Sequence, residues 1–146
     1  MPAGNFGTAP HSKYQSLFEE FRSSGKTLQV YQDEKLLFSS DKEKLIPLLE
    51  YIEQMARHHQ LVVIFDKIMG NAAALLSVKA SCREIYSPLG SQLAITTLNK
   101  YRIKYHINEI IPCIKKPDGE VMCPMEELSI NKDPDEFYEI ITQSRQ

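Results

Sequence analysis

Cys123-Pro124-Met125-Glu126 places a thiol directly before a proline and a carboxylate three residues on. Proline is favoured at the first position of a helix, so Cys123 falls at the N-cap and Glu126 at the third helical position. A helix N-terminus stabilises a thiolate, which makes Cys123 a candidate catalytic nucleophile and Glu126 a candidate base towards that thiol or a water. The same carboxylate raises the thiol's pKa through its charge, and it would serve equally well as a capping-box acceptor. No histidine is assigned as a partner. His106 is the nearest along the chain, His58-His59 close a helical pattern, and His11 lies in the opening segment.

A second cluster follows the unbroken apolar run Leu61-Val62-Val63-Ile64-Phe65, where Asp66-Lys67 and then Gly70-Asn71 lead into Ala72-Ala73-Ala74-Leu75-Leu76. Open α/β sheets take their ligands at the carboxyl ends of the strands, and the N–H groups of a following helix suit a phosphate or carboxylate. Asp66 and Lys67 are therefore candidates to orient a small-molecule ligand, with Gly70 and Asn71 offering backbone contacts. The alternative is that Asp66 caps the helix and Lys67 is solvated.

Two weaker constellations complete the chemistry. Cys113 and Cys123 are equidistant from Asp118, so a hairpin turning there sets them opposite each other within disulfide range; the alternative is two buried, reduced thiols. Lys100, Arg102, Lys104, Lys115 and Lys116 alternate with Tyr101, Tyr105 and His106. Nucleic-acid binding wants a basic field, however, and nineteen acidic against seventeen basic side chains leave a net charge of -2. No nucleic-acid partner is expected.

The elements that must position these residues begin with one core. At 146 residues, 42 % hydrophobic and 25 % charged, the composition is that of a single globular domain. Folding at this size buries roughly 68–70 % of the unfolded chain's surface, so neither a disulfide nor a structural metal is required. No run approaches the ~18 apolar residues of a membrane span, and Met1 to Asn5 lacks a basic start leading into an apolar stretch. With three irregularly spaced cysteines, these features lead to the expectation of a cytoplasmic protein without a membrane partner.

Residues 1–12 read as a flexible tail and 13–146 as the domain. Tyr14, Leu17, Phe18 and Phe21 recur at helical spacing ahead of Gly25. Thr27 to Tyr31 and Lys35 to Phe38 flank a polar turn and read as a hairpin. Ser40-Asp41-Lys42-Glu43 has the form of a capping box before a helix that begins near Ile46, with Pro47 in its first turn. The run at Leu61–Phe65 predicts a central strand buried on both faces, and Ala72–Val78 a helix packed all round. A short strand at Ile85-Tyr86 comes next. A helix starting between Ser87 and Ser91 then carries Leu93, Ala94, Thr97, Leu98 and Tyr101 inward, and a strand follows at Ile107–Ile114. Lys116-Pro117-Asp118-Gly119 signals a turn, and Asp133-Pro134-Asp135-Glu136 opens a closing helix. The fold class is α/β, a three-layer α-β-α arrangement on a mixed sheet.

This element order matches the cytidine-deaminase-like fold. Asp66-Lys67-Ile68-Met69-Gly70-Asn71-Ala72-Ala73-Ala74-Leu75-Leu76, taken with Cys123-Pro124-Met125-Glu126, resembles the prokaryotic domain of unknown function 1893 family. Its members typically read Asp-Lys-Ile-Val-Gly-Lys-Ala-Ala-Ala and, further along, Cys-Pro-Met-Glu. The resemblance covers Thr27 to Ile141. Asn71 departs from it where the family tends to have lysine, so no binding role of that lysine carries over. Deaminases of this fold hold zinc through His-x-Glu at one helix start and Pro-Cys-x-x-Cys at the next. Here the corresponding stretches are Asp66 to Asn71 and Ser87-Pro88-Leu89-Gly90-Ser91, and Pro112-Cys113 is followed by Ile114-Lys115-Lys116. The resemblance implies a zinc-independent protein with no metal and no cofactor. Two functions remain open: an enzyme acting on a small nucleotide-like or anionic metabolite through Cys123 and Glu126, or a non-catalytic ligand-binding or regulatory module acting as a homodimer.

Overall fold

The computed structural model describes residues 13–116 and 122–143. The expected tail at 1–12 and most of the turn at Lys116–Gly119 lie outside them. Its elements are α1 (Lys13–Ser23), β1 (Leu28–Gln32), β2 (Lys35–Ser40), α2 (Ile46–Gln54), β3 (Val62–Asp66), β4 (Ile68–Met69), α3 (Asn71–Lys79), β5 (Cys82–Ser91), α4 (Gln92–Lys100), β6 (Lys104–Ile111), α5 (Pro124–Ser129) and α6 (Pro134–Gln143).

One six-stranded mixed sheet runs β2-β1-β3-β5, with β4 and β6 both pairing with β5. The β1–β2 and β1–β3 pairs are antiparallel, while β3, β4 and β6 are all parallel to β5. The hairpin turns on Asp33 and Glu34 with φ of 51° and 66°, a two-residue turn whose twist suits the flanking strands. β3 is shifted by one residue from the expected Leu61–Phe65 strand: Val62–Asp66 are all buried, whereas Leu61 precedes the strand with φ of 57° and is 67 % exposed.

The two sheet faces are covered unequally. On one, among the described residues, lies α1, its Tyr14, Phe18 and Phe21 packed on Tyr31, Val63, Phe65 and Tyr86. On the other, α2, α3, α4 and α6 bury a larger cluster that includes Val30, Leu48, Leu76, Leu98, Ile107 and Phe137. Because α3 is walled by these helices as well as the sheet, its small residues are buried all round, as the sequence predicts.

Several local expectations are corrected. Ser40 remains in β2, where its Oγ accepts from the Lys42 N–H, and α2 starts after Leu45 with no side-chain cap, so the Ser40–Glu43 capping box does not form. The strand expected at Ile85-Tyr86 runs ten residues to Ser91, because the β4 and β6 ladders hold Leu89 and Gly90 in the sheet despite Pro88. The helix start therefore moves to Gln92, with the Ser91 side chain accepting from the Ala94 N–H. The last strand begins three residues early, at Lys104, and ends at Ile111. At α6 the expected reciprocal cap is present: the Glu136 N–H donates to Asp133 Oδ1 at 2.7 Å and the Asp133 N–H to Glu136 Oε1 at 3.3 Å.

Phe65 is fully buried, with ring centroids 4.9 Å from Tyr31, 5.3 Å from Tyr86 and 5.6 Å from Phe18. Phe65→Ala is expected to cost about 3–5 kcal/mol in urea unfolding, because this core has only one helix to collapse with.

Candidate functional site

The Asp66–Asn71 turn and the Cys123–Glu126 turn, far apart in sequence, meet at the N-terminus of α3. The side chain that joins them is Glu126. Its Oε1 accepts from the Asn71 N–H at 2.5 Å and its Oε2 from the Ile114 N–H at 2.7 Å, with the residue only 2 % exposed. A carboxylate at a helix N-terminus is stabilised by the unpaired N–H groups and by the helix dipole. The protein's own acid thus occupies the position the sequence suggests for a ligand's anion. Gly70 permits this approach: a Cβ there would lie 2.8 Å from Ile114 Cγ1 and 3.1 Å from Glu126 Oε1.

Asn71 extends the junction. Its Nδ2 donates to the Ser129 backbone oxygen at 3.2 Å and to Ser129 Oγ at 2.9 Å, while Thr97 Oγ1 donates to its Oδ1. Ser129 Oγ in turn donates to the Glu126 carbonyl at 2.6 Å. One amide therefore fastens α3 to both α4 and α5, in a position where a lysine would have no oxygen to offer Thr97.

Lys67 faces elsewhere. Its Nζ donates to the carbonyls of Arg22 at 2.9 Å and Ser24 at 3.1 Å and lies 5.0 Å from the Phe21 ring centroid, so it closes the C-terminus of α1. Asp66 is buried at the end of β3, and its Oδ1 accepts from the Ile68 N–H at 3.4 Å. Burial pushes its carboxyl up to about 7, against the smaller lowering effect of the Ile68 and Lys67 N–H groups.

Cys123 is the N-cap of α5 without a side-chain cap bond, and its N–H donates to the Ile114 carbonyl at 2.8 Å. With the bridge between Lys115 and Met122, this bond sets Cys123 opposite Ile114, one residue out of the register that would face it to Cys113. All three cysteines are free. His106 is no partner for Cys123. Its Nε2 lies 2.6 Å from Glu84 Oε2 and its ring stacks on Tyr86 at 4.2 Å, on the α1 side of the sheet, whereas α5 packs against α3 on the other. Burial alone would raise the Glu84 carboxyl, but the hydrogen bond and charge of His106, with Arg83 and Lys104, hold it below its ordinary range. Strand alternation places Glu84 and His106 on one face once their register is known, and that register is what the sequence does not supply.

Next to the Asn71 junction a groove of about 470 Å³ opens between α4 and the α5–α6 connection. Asn71 and Thr97 form part of its floor, and Thr96, Lys100, Tyr101 and Lys132 stand along its walls. One wall is a single face of α4, with Leu93, Thr96, Thr97, Lys100 and Tyr101 at helical spacing, but the residues opposite it come from the α5–α6 connection, a juxtaposition that the sequence does not supply. The donor set at the helix N-termini where a deaminase-like fold would carry its zinc, Gly70-Asn71 and Ser91-Gln92, does not fit that metal, which takes Cys, His and carboxylate ligands. Among the described residues no group of three or more His, Cys, Asp and Glu side chains could hold a metal ion. No described helix is long and apolar enough to cross a membrane.

Comparison with known proteins follows this geometry. The family model for a domain of unknown function, DUF1893, matches residues 16–144. Among solved structures, a DUF1893 family protein from Thermotoga maritima superposes with a TM-score of 0.82 at 26 % identity, covering 94 % of this chain and 92 % of that one. No curated protein matches the sequence.

Glu126→Ala leaves one buried and one half-buried N–H group without an acceptor and is expected to cost about 2–4 kcal/mol in urea unfolding, with Glu126→Gln falling between it and the parent. Asp66 carries the opposite sign. Its folded pKa, about 7, lies above the unfolded value near 3.8, so its relative stabilisation is complete below pH ~4 and is lost as pH rises through ~7. Three pK units correspond to at most about 4 kcal/mol. Urea midpoints measured from pH 4 to 8 are expected to fall less steeply in Asp66→Asn than in the parent.

Proposed function

This chain belongs to the DUF1893 family, and we propose that it is a non-catalytic ligand-binding module on a cytidine-deaminase-like fold, taking a small molecule in the groove between α4 and the α5–α6 connection. The observation that carries this reading is the state of Glu126. Both of its carboxylate oxygens accept from backbone N–H groups and the residue is only 2 % exposed, which favours a structural acid over one presented to a substrate. The acid of the Cys123–Glu126 pair is engaged in structure. The groove beside it keeps open volume and side chains of mixed polarity, the usual composition of a small-molecule site.

The order β3–α3–β5–α4–β6, with both helices leaving the carboxyl ends of parallel strands, supports the deaminase-like assignment. A regulatory role in the cytoplasm is consistent with a fold of this ancestry that reads a metabolite rather than converting it.

The test uses phenyl phosphate, benzamide and benzylamine as probes, each followed by amide chemical shifts. Shifts confined to residues 93–101 and 130–133, abolished by filling the groove with Thr96→Trp, are expected for at least one probe, with the probe unchanged after prolonged incubation. Scattered shifts, shifts that survive Thr96→Trp, or conversion of a probe would overturn the reading.

A further inference from the structure

Four ionisable side chains line the groove, Lys100, Lys132, Asp133 and Glu136, and formally they cancel. Their engagement is unequal. Asp133 and Glu136 form the reciprocal cap of α6, so both carboxylates face N–H groups at the positive end of a ten-residue helix. The two ammonium groups have no such partner. Among the described residues neither Lys100 nor Lys132 joins any ion pair. Lys100 Nζ rests 5.5 Å from the centroid of the Tyr101 ring, a contact weak enough at an exposed site to be given up for an anion. Lys132, half-buried, lines the same groove from the α5–α6 connection.

Resting on the binding reading above, we infer that the groove selects a small organic oxyanion, a phosphate or carboxylate held between Lys100 and Lys132, with its planar part against Tyr101. Both oxyanions accept hydrogen bonds from ammonium groups in the same way, and charge-assisted bonds of this kind exceed neutral ones. Release of Lys100 from the Tyr101 ring would accompany binding.

Titration calorimetry and amide shifts with phenyl phosphate, benzoate, benzamide and benzylamine test this. Phenyl phosphate is expected to bind most tightly, or benzoate if the site prefers a carboxylate, with affinity falling as NaCl is raised. Lys100→Gln and Lys132→Gln should each weaken the anion about tenfold and affect benzamide much less. Both positions are at the surface, and wild-type salt dependence gives a reading that needs no variant. Benzamide or benzylamine binding as tightly as either anion, in a manner still blocked by Thr96→Trp, overturns the charge preference and leaves the binding reading standing. Salt-independent anion binding, or affinities untouched by both lysine variants, also overturns the preference. Shifts from no probe in the groove overturn both.

Discussion

The Glu126 carboxylate, shared between the N–H groups of Asn71 and Ile114, is the interaction on which the functional end of the molecule depends. It joins the start of α3, the chain leaving β6 and the first turn of α5. A buried carboxylate with fewer donors around it would be costly. Here each oxygen meets a donor that would otherwise be orphaned, so desolvation of the acid is offset by satisfaction of the backbone. Gly70 follows from this arrangement, since the space a side chain would take is filled by Ile114 and Glu126. Asn71 follows as well, because an amide can donate to Ser129 and accept from Thr97 at once.

The sheet is where local pattern was most informative. Aromatic spacing in Tyr14, Phe18 and Phe21, the alternation around Asp33-Glu34, the unbroken Val62–Phe65 run and the Asp133–Glu136 cap each express an interaction contained within a few residues, and each is found. β4 escaped because two residues carry no period, and the length of β5 escaped because Pro88 and Gly90 look like breakers until partners on both edges hold them. Ser40-x-x-Glu43 is the reverse case. A local signal for a cap was overridden because pairing with Leu28 kept Ser40 in the hairpin.

At the candidate site the same division appears. Sequence marked Asp66, Lys67, Gly70, Asn71, Cys123 and Glu126 as residues of interest, but the side-chain partners of Lys67, Asn71 and Glu126 are long-range, whereas Asp66 meets the nearby Ile68 N–H. Lys67 reaches the end of α1, Asn71 reaches Ser129 and Thr97, and Glu126 reaches across to α3. Motif spacing identifies which side chains have unusual neighbours without saying who those neighbours are. For Cys113 and Cys123 a one-residue shift in pairing separates a disulfide geometry from its absence, and equal spacing about Asp118 has no power to resolve that shift.

The Glu126 junction also bears on the order in which the chain folds. Its hydrogen bond to Asn71 spans 55 residues, whereas the β1–β2 hairpin closes over a handful and α1 needs only its own turns. Loop closure over that distance costs chain entropy before any contact compensates it. The β1–β2 hairpin and the β3–β5 ladder, which close shorter loops, can therefore form before α5 and α6 dock, with Glu126 as the latch that completes α3. An opening of the native state that starts at this latch would release α5 and α6 together and expose the α3 N-terminus without disturbing the aromatic cluster beneath α1.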